Sequence, residues 1–293
     1  MGFRAIAGLA TVVLMSTTTA CRRQETAPPV ATPSFTANLT RVPQGSPIEV
    51  TYRFAVAPDA PPFAKDYRVM VHVLDSDEEL MWTDDHDPPT PTRQWKPGQA
   101  IEYTRTIFIP VYPYLGTAIV EMGLYATDSE ERLPLGGQDM GQRAYRVGSL
   151  ELLPQTDNIF VIFRDGWHSP ETAENNAAVE WQWTRKDATL SMRNPRRDVL
   201  FYLHADQPSA LLSQPQHVTV TLGGQQIDDF QLPPKTEVIR KIPLTTAQLG
   251  SGDTAEIGIH VDQTFVPSAL APGQTKDTRE LGIRVYHAFV QPR

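Results

Sequence analysis

Apolar residues recur at every second position in short runs along this chain, and proline, glycine or aspartate ends nearly every run. In residues 48–56, Ile48, Val50, Tyr52, Phe54 and Val56 alternate with Glu49, Thr51, Arg53 and Ala55. Side chains of a strand point alternately to its two faces, so the pattern gives a sheet with one apolar and one polar side. Comparable runs occupy residues 67–74, 101–109, 118–125 and 150–153 of the first half. The second half carries them at 159–163, 188–192, 198–205, 218–222, 226–232, 237–244, 255–262 and 281–289. Residues 159–163 (IFVIF) are apolar throughout and read as a fully buried strand. Gly223-Gly224 divides two runs as a hairpin turn, because both glycines accept positive φ. No ten residues hold a helical period, and residues 245–250 allow one helical turn at most. The fold class that follows is all-β: two tandem antiparallel β-sandwiches, immunoglobulin-like or jelly-roll.

The domain plan reads from composition. Residues 1–20 form an export signal, and residues 21–36, rich in Pro, Ala and Thr, form an extended tether of about 3.1 Å per residue where polyproline-like. The first sandwich covers 37–154 and the second 155–293, the break falling at PQTDN, 154–158. Val120-Glu121-Met122-Gly123-Leu124-Tyr125 is echoed by Ala255-Glu256-Ile257-Gly258-Ile259-His260. Glycine inside a strand marks a bulge or a close backbone approach, so the echo suggests that both halves solve one packing problem alike.

Arg4 precedes an uncharged apolar run at 5–15, followed by small polar residues and Cys21, the only cysteine. That order describes an export signal. At about 1.5 Å per residue the run spans little more than half of a bilayer core about 30 Å thick, too short for a permanent span. Thr18-Thr19-Ala20-Cys21 resembles the lipobox of bacterial lipoproteins, although Thr18 stands where that pattern has an aliphatic residue. The resemblance implies cleavage before Cys21 and a lipid on its thiol. The alternative is a secreted protein cut near Ala20, with Cys21 a bystander. By the same resemblance Arg22, in place of an aspartate after the cysteine, implies the outer membrane, with the body facing the periplasm. Arg22 and Arg23 would each add roughly 1 kcal/mol at anionic headgroups. The net charge of −8 argues against a general nucleic-acid binder, whose phosphates call for a basic face. It also argues against broad adhesion to anionic lipid, Arg22 and Arg23 being the local exception.

Three stretches carry candidate chemistry. Asp84, Asp85, His86 and Asp87 place three carboxylates and an imidazole in four residues, a set that could hold calcium. No glycine-centred loop accompanies them, and Asp-Pro is also turn chemistry, so a structural turn, a ligand-contacting loop and a metal site all stay open. Trp167, His168, Glu171, Trp181, Trp183 and Arg185 gather three of the five tryptophans with polar neighbours. If exposed, the indoles form a sugar platform; if buried, they seal the sandwich core. Asp277 and Arg279 flank the last strand as a turn-fixing ion pair. Elements of the hydrolase elbow, zinc-protease, phosphate-loop, dinucleotide and C-x-x-C motifs are lacking, so no catalytic residue and no cofactor is expected.

The run Gly166-Trp167, Glu171, Trp183-Thr184, Ala188-Thr189-Leu190 and Asp277-x-Arg279-x-Leu281-Gly282-Ile283-x-Val285 resembles the β-sandwich accessory domains of bacterial membrane-bound glycosyltransferases and of envelope lipoproteins. Asp85-His86-Asp87-Pro88, Trp95-Lys96-Pro97-Gly98, Gly123-Leu124-Tyr125 and Arg132-Leu133 are similar to the extracytoplasmic β-domain that accompanies such enzymes. The resemblance implies a sandwich fold and an envelope-glycan setting, and brings no catalytic residues. The expectation is a lipid-anchored, non-catalytic envelope protein binding a glycan or protein partner. An assembly component and a glycan-active hydrolase are the alternatives.

Overall fold

The structure, a computed structural model, describes residues 27–129, 131–155, 159–174, 176–207 and 212–292. Cys21, the lipobox and the signal run lie outside the described residues, as do 156–158 of the expected domain break.

The first sandwich is built from β1 (Ala31–Ala37), β2 (Arg41–Pro43), β3 (Pro47–Val56), β4 (Arg68–Leu74), β5 (Leu80–Thr83), β6 (Ala100–Phe108), β7 (Gly116–Tyr125), β8 (Gln138–Gly141) and β9 (Ala144–Leu153). One sheet runs β1-β3-β6; the other runs β2-β9-β7-β4-β5, with β8 beside β9. Pairing is antiparallel apart from the short β2–β9 pair. The alternation read from the sequence decides the layers: Val50, Tyr52 and Phe54 of β3 are buried against Val69, Val71 and Val73 of β4 and Val120, Met122 and Leu124 of β7. Trp95 closes the end of this core, its Nε1 donating to the Thr90 carbonyl at 2.8 Å.

The tether reading is corrected here. Residues 31–36 belong to β1, paired with β3 from Ala31↔Val56 to Ala37↔Val50. Pro33 is tolerated because β1 is a sheet edge, where a missing N–H costs no inner ladder bond.

The second sandwich comprises β10 (Val161–Phe163), β11 (Glu171–Ala173), β12 (Asn176–Trp183), β13 (Asp187–Arg193), β14 (Val199–Asp206), β15 (Gln216–Leu222), β16 (Gln225–Leu232), β17 (Glu237–Leu244), β18 (Thr254–Val261) and β19 (Arg284–Pro292). Two single-turn helices, α1 (Thr246–Leu249) and α2 (Pro267–Leu270), interrupt the strands. The sheets run β10-β13-β18-β15-β16 and β11-β12-β19-β14-β17. They enclose Leu190, Met192, Phe201, Leu203, Val218, Val220, Ile257 and Ile259, a core separate from the first. Gly223 and Gly224 turn β15 into β16 at φ 55° and 82°, as two-residue hairpins require. Thr245 and Gln248 cap α1 reciprocally. Glycine in the echoed strands does mark close approach: a Cβ on Gly258 would meet Thr221 Oγ1 at 2.5 Å, and one on Gly123 would meet the Arg143 carbonyl at 3.0 Å.

One strand departs from expectation. Residues 159–163 do not form a strand buried on both faces: β10 covers only Val161–Phe163, and the face carrying Phe160 and Ile162 is open to solvent. Phe160 is 80% exposed and Ile162 48%.

The two sandwiches meet through side chains. Phe108, at the end of β6, lies flat on His287 of β19, with centroids 4.2 Å apart and planes 5° from parallel. Lys241 of β17 and Glu49 of β3 form an ion pair at 2.7 Å.

Candidate functional site: a cleft between the sandwiches

Among the candidate metal ligands the structure separates what the sequence places together. The segment after β5 stays extended alongside β4, with backbone bonds from Asp84 N to the Val71 carbonyl and between His86 and Val69 in both directions. Alternate residues of an extended segment face opposite ways. Asp84 and His86 therefore turn inward and Asp85 and Asp87 outward. Asp84 accepts from Tyr52 Oη at 2.7 Å and from Arg105 Nη2 at 2.9 Å. Asp85 Oδ1 accepts from Val71 N, and Asp87 stands beside Arg68 at 3.3 Å with its side chain 81% exposed. No group of three or more metal-ligating side chains converges among the described residues.

His86 is buried, and its Nδ1 lies 2.6 Å from the Asp84 carbonyl. A carbonyl can only accept, so Nδ1 carries the proton and Nε2 accepts from Tyr103 Oη at 2.7 Å. Burial holds this imidazole below the ordinary histidine range, and it is neutral. The same burial lifts the Tyr52 and Tyr103 hydroxyls above their usual range, Asp84 adding to the effect on Tyr52, so both remain proton donors.

The tryptophan cluster is packing, not platform. Trp183 is 7% exposed, edge-on to Phe265 at 5.8 Å and against Leu281. Trp167 is half-buried, its Nε1 donating to the Thr189 carbonyl at 2.8 Å and its ring edge-on to Phe163. Trp181 is half-buried beneath the Arg284 guanidinium, 4.9 Å from the ring, and that guanidinium is held by Asp206 at 2.5 and 2.8 Å. Glu171 pairs with Arg279 at 2.5 Å, and Arg279 pairs with Asp277 at 2.7 Å. The expected turn-fixing pair is thus present and reaches one strand further. His168 Nε2 donates to the Glu280 carbonyl at 2.7 Å, and its own N–H to the Trp183 carbonyl. Arg185 is exposed and its backbone N–H bonds Gly166. Phe265 and Leu281, from a segment about eighty residues or more further along the chain, cover Trp183.

These contacts also explain the motif that prompted the family resemblance. Gly166, Trp183-Thr184, Arg279 and Leu281-Gly282-Ile283 interlock: Gly282 N donates to the Thr184 carbonyl, and Thr184 Oγ1 accepts from Ile283 N. At Gly166 a Cβ would fall 1.9 Å from the Asp187 carbonyl oxygen, with φ at +81°. The spacing of the motif follows from this junction.

A cleft of about 910 Å³ opens where the edge strands of the first sandwich, β5 and β6, meet the outer face of β14, β17 and β19. Trp82, Asp84, Arg105, Phe108 and Tyr112 line one wall; His204, Glu237, Ile239 and His287 line the other. His204 Nε2 is 2.6 Å from Glu237 Oε1, and its Nδ1 is 3.0 Å from His287 Nδ1. A carboxylate accepts, so His204 donates through Nε2 to Glu237, and the two Nδ1 atoms share one proton between the rings. The hydrogen bond from His204 holds Glu237 below the usual carboxylate range. Enclosure under Phe108 and beside His204 holds His287 down to about 4, although part of the residue faces the cleft.

The cleft therefore offers flat apolar surfaces, a guanidinium already paired with a carboxylate, and a chain of two imidazoles ending on a second carboxylate. Such a mixture suits a ligand bearing several hydroxyls around an apolar ring face. Sequence reasoning placed Asp84 in a candidate loop but missed Arg105, Phe108, His204, Glu237 and His287. Their one visible signal was a polar residue in an outward position of an otherwise apolar strand, as at His204 between Leu203 and Ala205.

No family model matches the chain, and no curated protein matches it. Several solved structures are similar to parts of it. A GH115 4-O-methyl-α-glucuronidase, BtGH115A, is 12% identical over 52% of this chain and 20% of its own, with TM-score 0.34. The CBM22-1–CBM22-2 tandem of Paenibacillus barcinonensis Xyn10C is 8% identical over 85% of this chain and 80% of its own, with TM-score 0.28. The C-terminal CBM6 of the laminarinase LamC from Zobellia galactanivorans is 10% identical over 46% of this chain and 92% of its own, with TM-score 0.25. The chain thus spans a fifth of the length of the glucuronidase. Superposition this loose fixes neither a ligand nor a site.

Proposed function

We propose that this protein is a lipid-anchored, non-catalytic component of a bacterial envelope that binds a glycan in the cleft between its two sandwiches. The observation that carries the reading is the cleft itself: Trp82 and Tyr112 stand with Arg105, Glu237, His204 and His287 around one open volume of about 910 Å³. Aromatic faces cover the apolar side of a pyranose, and the polar groups take its hydroxyls. The carboxylates favour binding over chemistry, because Asp84 is committed to Arg105 and Tyr52, and Glu237 to His204. A general acid or base needs a carboxyl free to exchange its proton with the substrate. The export signal and Cys21 support the envelope setting.

The test is a glycan array followed by calorimetry on the full chain, using Trp82→Ala and Glu237→Gln. The expected result is binding that weakens at least about tenfold in either variant, the loss of one stacking face or one charged hydrogen bond. Trp181→Ala is expected to change affinity little. An array without a ligand, or affinity indifferent to both cleft substitutions in folded protein, refutes the reading.

A further inference from the structure

Strand β10 and the turn after β13 form a second surface, distinct from the cleft. In the register of β10 on β13, Val161 and Phe163 oppose Met192 and Leu190 on the core side, which leaves Phe160 and Ile162 on the outer face. Arg164 shares that face, its Nε donating to Ser191 Oγ at 2.8 Å. Arg193, at the end of β13, and Arg196 and Arg197 of the following turn are all exposed. The turn is held from beneath. Asn194 is buried and its Nδ2 reaches the carbonyls of Leu249, Gly250 and Gly252, while its Oδ1 accepts from Arg196 N at 2.9 Å. That clamp keeps Arg196 at φ 55°, a conformation non-glycine residues seldom hold. The result is a hollow of about 850 Å³ lined by Ile159, Phe160 and Ile162 on one side and Arg193, Arg196 and Arg197 on the other. Asp253, 2.8 Å from Arg196, is the acidic group in its lining, and Glu256 faces Ser191 one strand further on.

We infer that this face docks on an anionic phospholipid surface. A chain with net charge −8 gathers four arginines around Phe160, a ring 80% exposed. Guanidinium groups pair with phosphate oxygens in forked geometry, and their stems cover apolar surface. Phe160 and Ile162 would enter the boundary between headgroups and acyl chains while the arginines stay at phosphate level. An apolar protein partner would leave the guanidiniums without counter-charges. The inference does not depend on acylation of Cys21 or on what the cleft binds.

The natural chain has one cysteine, so the full chain carrying Cys21→Ser and Ile162→Cys accepts an environment-sensitive fluorophore at position 162 alone. Gln225→Cys, exposed on the β15–β16 hairpin, reports what the N-terminal segment does by itself. On vesicles of phosphatidylcholine with phosphatidylglycerol, the label at 162 is expected to shift to the blue and be quenched by nitroxide lipids. The label at 225 should not respond. The response should vanish on pure phosphatidylcholine and at about 0.5 M salt, where screening shortens to a few Å. Arg193→Glu with Arg197→Glu should weaken partitioning more than about tenfold, roughly fivefold for each arginine lost. Equal responses at 162 and 225, indifference to the arginine changes, the same shift with inorganic phosphate alone, or a shift that tracks protein concentration without lipid would each overturn the inference.

Discussion

Asp84→Ala tests the wall of the cleft and the core behind it together. Asp84 is 15% exposed at its side chain and receives hydrogen bonds from Tyr52 and Arg105. Tyr52 is fully enclosed, so removing the acceptor strands a buried hydroxyl at a cost of about 1–3 kcal/mol. Arg105 keeps 38% of its side chain exposed and regains water, so its loss falls well below the roughly 3–5 kcal/mol of a wholly buried broken pair. The sum is about 2–4 kcal/mol, confined to the first sandwich. In calorimetry the melting temperature of that domain should fall on the order of 10 °C. Adding Tyr52→Phe removes the stranded hydroxyl and should return about 1–2 kcal/mol. Asp87→Ala, whose side chain is 81% exposed beside Arg68, should change stability by less than about 0.5 kcal/mol. A first-domain transition for Asp84→Ala within about 0.5 kcal/mol of the natural protein, or a double variant no better than the single, would refute the reasoning.

Gly166→Ala should destabilise the second sandwich by more than about 3 kcal/mol or prevent its folding, because the new Cβ falls on the Asp187 carbonyl and the backbone sits at φ +81°; soluble yield and melting temperature read this out. Phe108→Ala removes the ring stacked on His287 and should weaken the coupling between the two unfolding transitions by about 1–2 kcal/mol, seen as calorimetric peaks further apart than in the natural protein. His287 should titrate in NMR with a midpoint nearer 4 than 6.5. Its folded value is depressed, so the stability its neutral form contributes is whole above about pH 6.5 and is lost as pH falls toward 4. His86, also held low by burial, acts with the same sign, so acid should weaken the first sandwich too; Tyr103→Phe, which removes the donor to Nε2, should move the His86 midpoint.

The sheets were legible because their signal is local. A strand needs only that alternate residues differ in polarity, and Ile48 to Val56 show that without reference to any other part of the chain. Gly223-Gly224 and Thr245 with Gln248 are likewise complete within four residues, as is the Asp277–Arg279 pair. Pro33 hid β1, since its tolerance depends on the strand lying at an edge. Nothing in residues 159–163 tells a strand sealed on both sides from one with Phe160 in water; that depends on whether another layer packs over the face carrying Phe160 and Ile162. Asp84 to Asp87 adjoin in sequence yet face two ways, because the backbone there is extended.

Exposure of an aromatic ring is a property of what covers it, and the cover comes from far away. Trp183 is sealed by Phe265 and Leu281, and the Phe108 ring lies on His287, each pair separated by about eighty residues or more. The sequence by itself determined that strands would form, where they would turn, and that two cores would hold without a disulfide. Only the tertiary structure decided that the tryptophans would be walled in and that Arg105, His204, Glu237 and His287 would share one cleft. The physical reason is that alternation and turn preference act between neighbours along the backbone, whereas burial and convergence are set by contacts the chain makes after it has folded back on itself.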